Sequence, residues 1–254
     1  MSLKNKLKNN EITIGSWITI AHPSVVEVMA SAGFEWLVVD MEHTSIDLFQ
    51  AQILISTIQS CGLKALVRVA KNEEVTIKKV LDMGADGIIV PMIKNLSDAK
   101  QAVDYAKYPP TGKRGVGLFR AQKYGSGFNE YKNFMKDELV IIAQIEHFEA
   151  VDNIEEIINI DGIDGVIIGP YDLSASMGLA GQYDDARVVE RIDRVVKICK
   201  DRNFPSGFHI IQTDAKHIQD KISLGCKFLA YSLDFLFLGD CARDGMRKIK
   251  EELK

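Results

Sequence analysis

Residues 84–90 read Gly-Ala-Asp-Gly-Ile-Ile-Val, and three further segments share this form: Gly-Phe-Glu-Trp-Leu-Val-Val at 33–39, Gly-Ile-Asp-Gly-Val-Ile-Ile at 162–168 and Gly-Cys-Lys-Phe-Leu-Ala-Tyr at 225–231. In each segment, a glycine that can end a helix in the left-handed conformation precedes two linking residues and an apolar strand. Any connection from a helix to a strand can take this form. The repeat therefore supports a regular alternation of helices and strands, but it does not prove one.

Apolar strand-like runs alternate with helical patterns along the whole chain. We predict eight strands, near Ile12–Ile20, Trp36–Asp40, Ala65–Val69, Gly87–Pro91, Leu139–Glu146, Gly165–Gly169, Gly207–Ile211 and Phe228–Ser232. We predict eight helices, near Val25–Ala32, Asp47–Ser60, Glu74–Met83, Ser97–Lys107, Ala150–Ile158, Ala186–Arg202, Asp214–Leu224 and Phe235–Glu252. An open doubly wound sheet would satisfy this alternation too, but eight units in 254 residues favour one α/β domain, a (β/α)8 TIM barrel of residues 1–254.

Composition excludes several classes of protein. The chain has 31 Lys and Arg against 35 Asp and Glu, and a net charge of −4 argues against nucleic-acid binding, which needs a basic face. The basic start of the chain lacks the apolar run of a secretory signal, and no apolar stretch is long enough to span a membrane. The four cysteines lack CxxC spacing and indicate free thiols, so we expect a cytoplasmic protein.

The connection between the fourth helix and the fifth strand is unusually long, at about residues 108–138. It opens with Tyr-Pro-Pro-Thr-Gly-Lys-Arg-Gly-Val-Gly and is rich in aromatic residues. Long connections in compact domains are often functional. We expect a lid or a subunit contact here, and the alternative is a surface excursion with its own short helix.

Functional groups of (β/α)8 barrels gather where the strands end. The predicted strands carry or precede many polar groups at that end: Trp17, Asp40, Glu42, His43, Arg68, Gln144, Glu146, Asp172, His209 and Asp234. Of the other histidines, His147, His209 and His217 carry less weight than His43. The shared location of these groups indicates a site at this end of the barrel.

Glu146 and Asp172 follow neighbouring strands, so their carboxylates can converge on one ion. Two carboxylates with waters and a chelating substrate suit Mg²⁺ or Mn²⁺, with Co²⁺ as a third candidate. Two alternatives stay open: Glu146 could pair with Arg68, and Asp172 could cap the turn that follows it.

His43 and Arg68 are the candidate base and cation. An imidazole can take a proton near neutral pH, and a carboxylate from Asp40 or Asp82 could fix its tautomer. The alternative is a loop histidine that bonds to the backbone. Arg68 lies within an apolar strand, where an unpaired guanidinium would be costly, so it must face a carboxylate or an anionic substrate.

The sequence lacks the residues that some catalytic mechanisms require. The sixth strand has no lysine for a Schiff base, and no GxGxxG follows a strand, so we expect no organic cofactor. A metal-dependent enolisation of a small 2-oxo acid is consistent with the residues that remain.

The sequence resembles the HpcH/HpaI family of class II aldolases over about residues 10–245. The matching segments are Gly15-Ser-Trp17, Gly33 to His43, Val67-Arg68, Val90-Pro-Met92, Tyr108 to Gly117, Gln144-Ile-Glu146 and Gly169 to Gly178. One departure is Leu118, where several members carry serine after Gly-Val-Gly. This departure bears on the acceptor pocket and thus on substrate identity.

The resemblance implies a role for each matching residue. Glu146 and Asp172 would hold the divalent ion, and His43 would be the base, supported by Asp40 and Asp82. Arg68 would stabilise the pyruvate enolate. The remaining substrate-binding residues would be Trp17, Gln144, Leu173 and Ser174, with main-chain N–H groups near 174–178 facing the substrate carboxylate. The resemblance also implies a homo-oligomer, a hexamer formed by two trimers, with the last helix packed on a neighbour.

These implications predict a metal-dependent aldolase that cleaves a 4-hydroxy-2-oxo acid to pyruvate and an aldehyde. One alternative within the family uses the same enolate for a citrate-synthase-like condensation or for oxaloacetate decarboxylation. An alternative of another class is a non-catalytic barrel that binds carboxylates.

Overall fold

The computed structural model describes residues 1–253, and its strands form one closed barrel. The strands are β1 (Thr13–Ile18), β2 (Trp36–Asp40), β3 (Lys64–Arg68), β4 (Gly87–Val90), β5 (Val140–Ile145), β6 (Gly165–Ile168), β7 (Ser206–Ile210) and β8 (Phe228–Leu233). Each strand is parallel to the next, and β8 pairs with β1 to close the sheet. The prediction of a (β/α)8 barrel is confirmed.

Helices surround the barrel, and most of them follow a strand. They are α1 (Leu3–Lys8), α2 (Pro23–Ala30), α3 (Leu48–Ser60), α4 (Glu74–Asp82), α5 (Leu96–Ala106), α6 (Phe128–Asp137), α7 (Phe148–Asp152), α8 (Ile154–Ile158), α9 (Pro170–Ser176), α10 (Ala186–Asp201), α11 (Ala215–Leu224) and α12 (Asp234–Glu252). The eight helices predicted from the sequence are present, although the helix predicted near 150–158 is divided into α7 and α8.

The inside of the barrel is filled by apolar side chains. Helix α1 closes the end at which the strands begin, which we call the lower end or lower face. Leu3 and Leu7 of α1 are buried in the same cluster as the strand residues Trp17, Trp36, Val38, Leu66, Ile89, Val140, Ile142, Ile167, Phe228 and Ala230. The side chain of Trp36 stacks on Phe228 with ring centroids 4.1 Å apart. A Cβ at Gly15 would lie 2.1 Å from the Trp36 ring, so this bulky filling requires glycine at 15. The barrel is thus a packed core and not a pore.

The long connection lies at the end of the barrel opposite the strand carboxyl ends. It leaves the C-terminus of α5 and enters the N-terminus of β5, and it contains a short 3₁₀ helix, Arg120–Gly125, as well as α6. Within it, Arg120 bonds to the carbonyl of Met83 and to Gln59, which lie at the ends of α4 and α3. Because a helix-to-strand connection begins and ends at the lower face, this segment does not cover the strand carboxyl ends of its own barrel, and it carries short helices of its own. The prediction of a subunit contact stays a prediction.

The last helix, α12, is largely uncovered in the single chain. Of its residues only Asp234 is buried, and its large apolar side chains Phe235, Leu238, Met246 and Ile249 are exposed. Within residues 1–253 no helix combines the length and apolar character that crossing a membrane requires.

Candidate active site

Four buried polar side chains lie at the carboxyl ends of the strands. Asp40 and Arg68 end β2 and β3, and both are buried. Gln144 and Glu146 lie at the end of β5 and just beyond it, and both are buried as well. Apolar residues fill the interior below them. We call the opening of the barrel at this end the mouth, and these four side chains form its floor.

Arg68 and Asp40 form a two-point ion pair. The two residues are register partners on adjacent strands, and Nε and Nη2 of Arg68 lie 2.9 and 2.7 Å from the two carboxylate oxygens of Asp40. Burial alone would raise the pKa of Asp40, but the hydrogen bonds and charge of Arg68 lower it. The sequence predicted a carboxylate partner for Arg68, and Asp40 is that partner. The alternative pairing of Arg68 with Glu146 is not the one formed.

Arg68 also packs on Trp17, whose ring centroid lies 4.5 Å from the guanidinium carbon. Trp17 is almost fully buried in β1. A cation over an aromatic ring is attracted by the ring's electrons, and this attraction is stronger where water is excluded. Asp40 and Trp17 therefore both fix the position of the guanidinium.

His43 lies at the surface of the mouth, and its nearest carboxylate is Glu42. The imidazole is 62% exposed, and its Nε2 lies 3.6 Å from Oε2 of Glu42. Asp40 accepts hydrogen bonds from the backbone N–H groups of Glu42, at 3.0 Å, and of His43, at 3.4 Å. Asp40 therefore fixes the backbone of this loop and does not orient the His43 imidazole. The same Glu42 oxygen is 3.4 Å from Nε of Arg68, which places Glu42 next to both the base and the cation.

Glu42 is a residue to which the sequence reasoning gave no role. Burial raises its pKa to about 7, and the nearby negative charges of Glu146, Asp40 and Asp172 add to the rise while Arg68 opposes it. Its position directly after a strand was the signal available in the sequence. What the sequence did not show is that the side chain turns toward Arg68.

Asp82 is not brought to this mouth in a single copy of the chain. It is the last residue of α4, at the lower face, where its carboxylate accepts a hydrogen bond of 2.6 Å from Nη2 of Arg114. Arg114 is fully buried and also donates to the hydroxyl of Tyr131 and the carbonyl of Ala106. Within one chain, then, Asp82 is the ion-pair partner of Arg114 and does not contact His43.

Glu146 and Asp172 lie on the same side of the mouth. One oxygen of Glu146 accepts from the backbone N–H of Met92 at 2.7 Å, and the other accepts from the side chain of Gln144. Burial raises the pKa of Glu146, and the negative charge of Asp172 is close enough to contribute. Two neighbouring carboxylates repel each other, and a cation between them relieves that repulsion.

The residues present suit a hard divalent cation. A Cβ at Gly169 would lie 3.3 Å from Oε2 of Glu146, so glycine keeps space open beside that oxygen. Among residues 1–253, no group of three or more His, Cys, Asp or Glu is arranged to hold a metal. Two carboxylates with water and substrate oxygens completing the shell are the ligand type that Mg²⁺ uses.

Asp172, Leu173 and Ser174 belong to the short helix α9. Asp172 is exposed in its first turn and the helix is capped by Gly169, so the alternative that Asp172 is an N-cap is wrong. Ser174 is buried, and its hydroxyl donates to the carbonyl of Tyr171 at 2.7 Å. The N–H groups of 177 and 178 bond to carbonyls of their own turn and are not free for a substrate.

Four buried polar atoms at this mouth have no hydrogen-bond partner within the chain: Nε1 of Trp17, Oε2 of Glu42, Oε1 of Gln144 and Nε2 of His209. Unpaired buried polar groups are costly, and each calls for an explanation such as a functional role. Their position beside Arg68 and Glu146 supports a functional role for the mouth. His209 is the second residue here that the sequence reasoning set aside, although the strand alternation of β7 could have placed it inside.

This fold and this mouth define a barrel enzyme with carboxylates, an arginine and a histidine around one opening. The profile of the HpcH/HpaI aldolase/citrate lyase family matches residues 13–236. The chain belongs to this family.

Named relatives and solved structures agree with the family assignment. The chain is 37% identical to a 4-hydroxy-2-oxovalerate aldolase of Novosphingobium aromaticivorans, over 99% of this chain and 95% of the relative. It is 32% identical to a hydroxypyruvate/pyruvate aldolase of Roseobacter denitrificans, over 98% and 97%. The crystal structure of an HpcH/HpaI aldolase from Desulfitobacterium hafniense DCB-2 superposes with a TM-score of 0.90 at 31% identity, covering 99% of this chain and 97% of that one.

Proposed function

We propose that this protein is a divalent-metal-dependent aldolase that cleaves 4-hydroxy-2-oxo acids to pyruvate and an aldehyde. The observation that carries the proposal is the convergence of Glu146, Asp172, Arg68 and His43 around one mouth. Relatives that are 32–37% identical over nearly the whole chain bear aldolase names, which supports the same reaction type.

In this proposal Glu146 and Asp172 hold the ion, Mg²⁺ or Mn²⁺. Such an ion, when bound, polarises the 2-oxo group of the substrate as a Lewis acid. Gln144 fixes the Glu146 carboxylate by its hydrogen bond, and the Met92 N–H fixes the other oxygen. The Glu146 carboxylate is therefore oriented before substrate arrives.

The side chains of the mouth divide the work of bond cleavage. His43 takes the proton of the 4-hydroxyl group, and the C3–C4 bond breaks as that oxygen becomes the aldehyde carbonyl. The electron pair of the broken bond moves into the 2-oxo group, where Arg68 stabilises the negative charge that develops. A proton then returns to C3 and gives pyruvate. A fixed guanidinium suits this task because it need not reorganise during the reaction.

The test is metal-dependent exchange of the C3 protons of pyruvate, followed by NMR in heavy water. This half-reaction needs no aldehyde, so it does not depend on knowing the physiological substrate. Exchange that requires Mg²⁺ or Mn²⁺ and that is lost in Arg68→Ala supports the proposal. Absence of exchange in the wild-type protein with either ion would refute it.

A second candidate is condensation of the same enolate with a keto acid. A citrate synthase, SbnG, superposes with a TM-score of 0.87 at 25% identity, covering 99% of this chain and 98% of that one. Product analysis after incubation with pyruvate or oxaloacetate and a panel of aldehydes separates the two. Aldol products support the aldolase, whereas a tricarboxylate from oxaloacetate supports the condensation.

We also propose that the protein works as a homo-oligomer, a hexamer formed by two trimers. The apolar residues Phe235, Leu238, Met246 and Ile249 of α12 are exposed in one chain, and apolar faces of this kind usually pack on a partner. Light scattering coupled to gel filtration tests this, and a monomeric mass would refute it.

A further inference from the structure

His209 lies within β7 with its side chain toward the barrel interior. Its neighbours Phe208 and Ile210 belong to the layer between the sheet and the helices, and alternation along a strand places 209 on the opposite face. Its register partner in β8 is Ala230, which belongs to the interior cluster. His209 is thus a polar residue among the barrel's interior side chains.

The imidazole of His209 packs on the indole that supports Arg68. The ring centroids of His209 and Trp17 are 4.9 Å apart, and the same indole contacts the Arg68 guanidinium at 4.5 Å. Trp17 is 1% exposed, so its ring is surrounded by protein atoms and its position depends on the side chains that pack against it. Asp40 fixes the edge of the guanidinium, while Trp17 contacts its carbon.

The His209 side chain carries no charge at physiological pH. Burial lowers its pKa to about 3, and the positive charge of Arg68 lowers it further while Asp40 opposes the shift. A neutral ring can pack beside the guanidinium without repelling it. A larger aliphatic residue would supply bulk there, but it would not supply a flat ring against the indole.

We propose that His209 is a positioning residue that acts through Trp17 to hold Arg68 in place. The inference rests on the proposed function, because charge stabilisation by Arg68 is what makes the position of the guanidinium matter. A misplacement of about 1 Å in an active site can cost about 100-fold in rate. Since Asp40 still holds Arg68, removal of His209 costs less, about tenfold in rate.

The first test needs no activity. The chain has two tryptophans, Trp17 and Trp36, and Trp36 stacks on Phe228 near the lower end of the barrel. In a Trp36→Phe background, Trp17 is the only tryptophan, so fluorescence excited at wavelengths that tyrosine does not absorb comes from Trp17 alone. We expect His209→Ala to shift its emission to the red and to raise its quenching by acrylamide, and His209→Phe to leave both unchanged. If Trp36→Phe does not fold, the indole N–H signal of Trp17 in the otherwise unchanged chain gives the same readout by NMR.

The second test separates positioning from plain core filling. Arg68 acts on charge that develops during the reaction, so His209→Ala should lower kcat for C3 exchange about tenfold with little change in KM. His209→Phe, which keeps a flat ring, should retain most of the rate. In a Trp17→Ala background, the further change His209→Ala should cost little, because residues that act as a unit are not additive.

The outcomes are distinguishable. Unchanged Trp17 emission in His209→Ala, an effect confined to KM, or additive losses with Trp17→Ala would each overturn the role of His209 while the aldolase proposal stands. A wild-type protein without metal-dependent exchange would refute the proposed function and remove the basis for the positioning role. The emission test would still report the packing.

Discussion

Arg68 and Asp40 stand side by side at the ends of adjacent strands, joined by two hydrogen bonds of 2.9 and 2.7 Å and both buried. Planar guanidinium and carboxylate groups match at two points, so the pair fixes orientation as well as charge. One arginine therefore neutralises a buried acid and presents a positive charge to the mouth. Stability and activity are coupled at this residue.

Arg68→Ala is expected to abolish C3 proton exchange of pyruvate and to lower the free energy of unfolding by about 3–5 kcal/mol, because Asp40 is left buried and unpaired. The double variant Asp40→Asn with Arg68→Met separates the two effects. Removing both charges should recover much of the stability without recovering exchange. Urea unfolding and NMR measure the two quantities. Retained exchange in either variant would show that Arg68 does not stabilise the developing charge.

Glu146→Gln and Asp172→Asn are each expected to abolish metal-dependent activity, because each removes one of the two carboxylates that would hold the ion. EDTA should abolish the activity of the wild-type protein, and added Mg²⁺ or Mn²⁺ should restore that activity. Calorimetry with Mn²⁺ should show binding to the wild-type protein and weakened binding to both variants. Asp152→Asn, at an exposed ion pair with Arg191, is the matched control and should behave as wild type. Undiminished Mn²⁺ binding in both site variants would rule out this ligand pair.

The barrel and much of its mouth are readable from the sequence, because buried parallel strands are nearly continuous apolar runs. Polar residues at their ends, such as Arg68 and Glu146, therefore stand out. Side-chain direction was harder to predict. His209 interrupts an apolar strand much as Arg68 does, but a histidine in a strand has many structural uses, and its contact with Trp17 depends on the closed sheet.

The position of the long connection could not be predicted from its length and composition alone. Its length and composition suggested a lid, yet its position between a helix and a strand assigns it to the lower face of its own barrel. Asp82 lies away from the mouth of its own chain for the same reason, since it ends a helix and not a strand. Which element a residue terminates decides which end of the barrel it occupies.

The first helix was absent from the sequence prediction, because six residues with two leucines give too little periodicity. Leu7 is nevertheless fully buried in the cluster that fills the barrel. Leu7→Ala should lower the free energy of unfolding by about 2–5 kcal/mol. Lys8→Ala, at an exposed position in the same helix, should change it little. Equal effects of the two substitutions in urea unfolding would mean that α1 does not close the barrel.

Glu42 gives the protein a pH-dependent stability of a predictable sign. Burial raises its pKa from 4.5 to about 7, so between these values the folded chain keeps a proton that the unfolded chain has released. Stability is therefore highest below the lower value and falls as pH rises through the upper one. Glu42→Gln has no such proton to lose. Without added metal, it should gain about 1 kcal/mol relative to wild type on going from pH 5 to pH 8, because water at the mouth screens part of the charge.

The control for this comparison is Glu155→Gln, whose carboxylate pairs with Arg202 at the exposed surface. Its difference from wild type should not grow between the two pH values. Urea unfolding of all three proteins at pH 5 and pH 8 measures the effect. A Glu42→Gln difference that is the same at both values would mean that Glu42 is ionised throughout this range. Arg68 would then have two full negative charges beside it, and the mouth would repel a substrate carboxylate more strongly than the raised pKa of Glu42 implies.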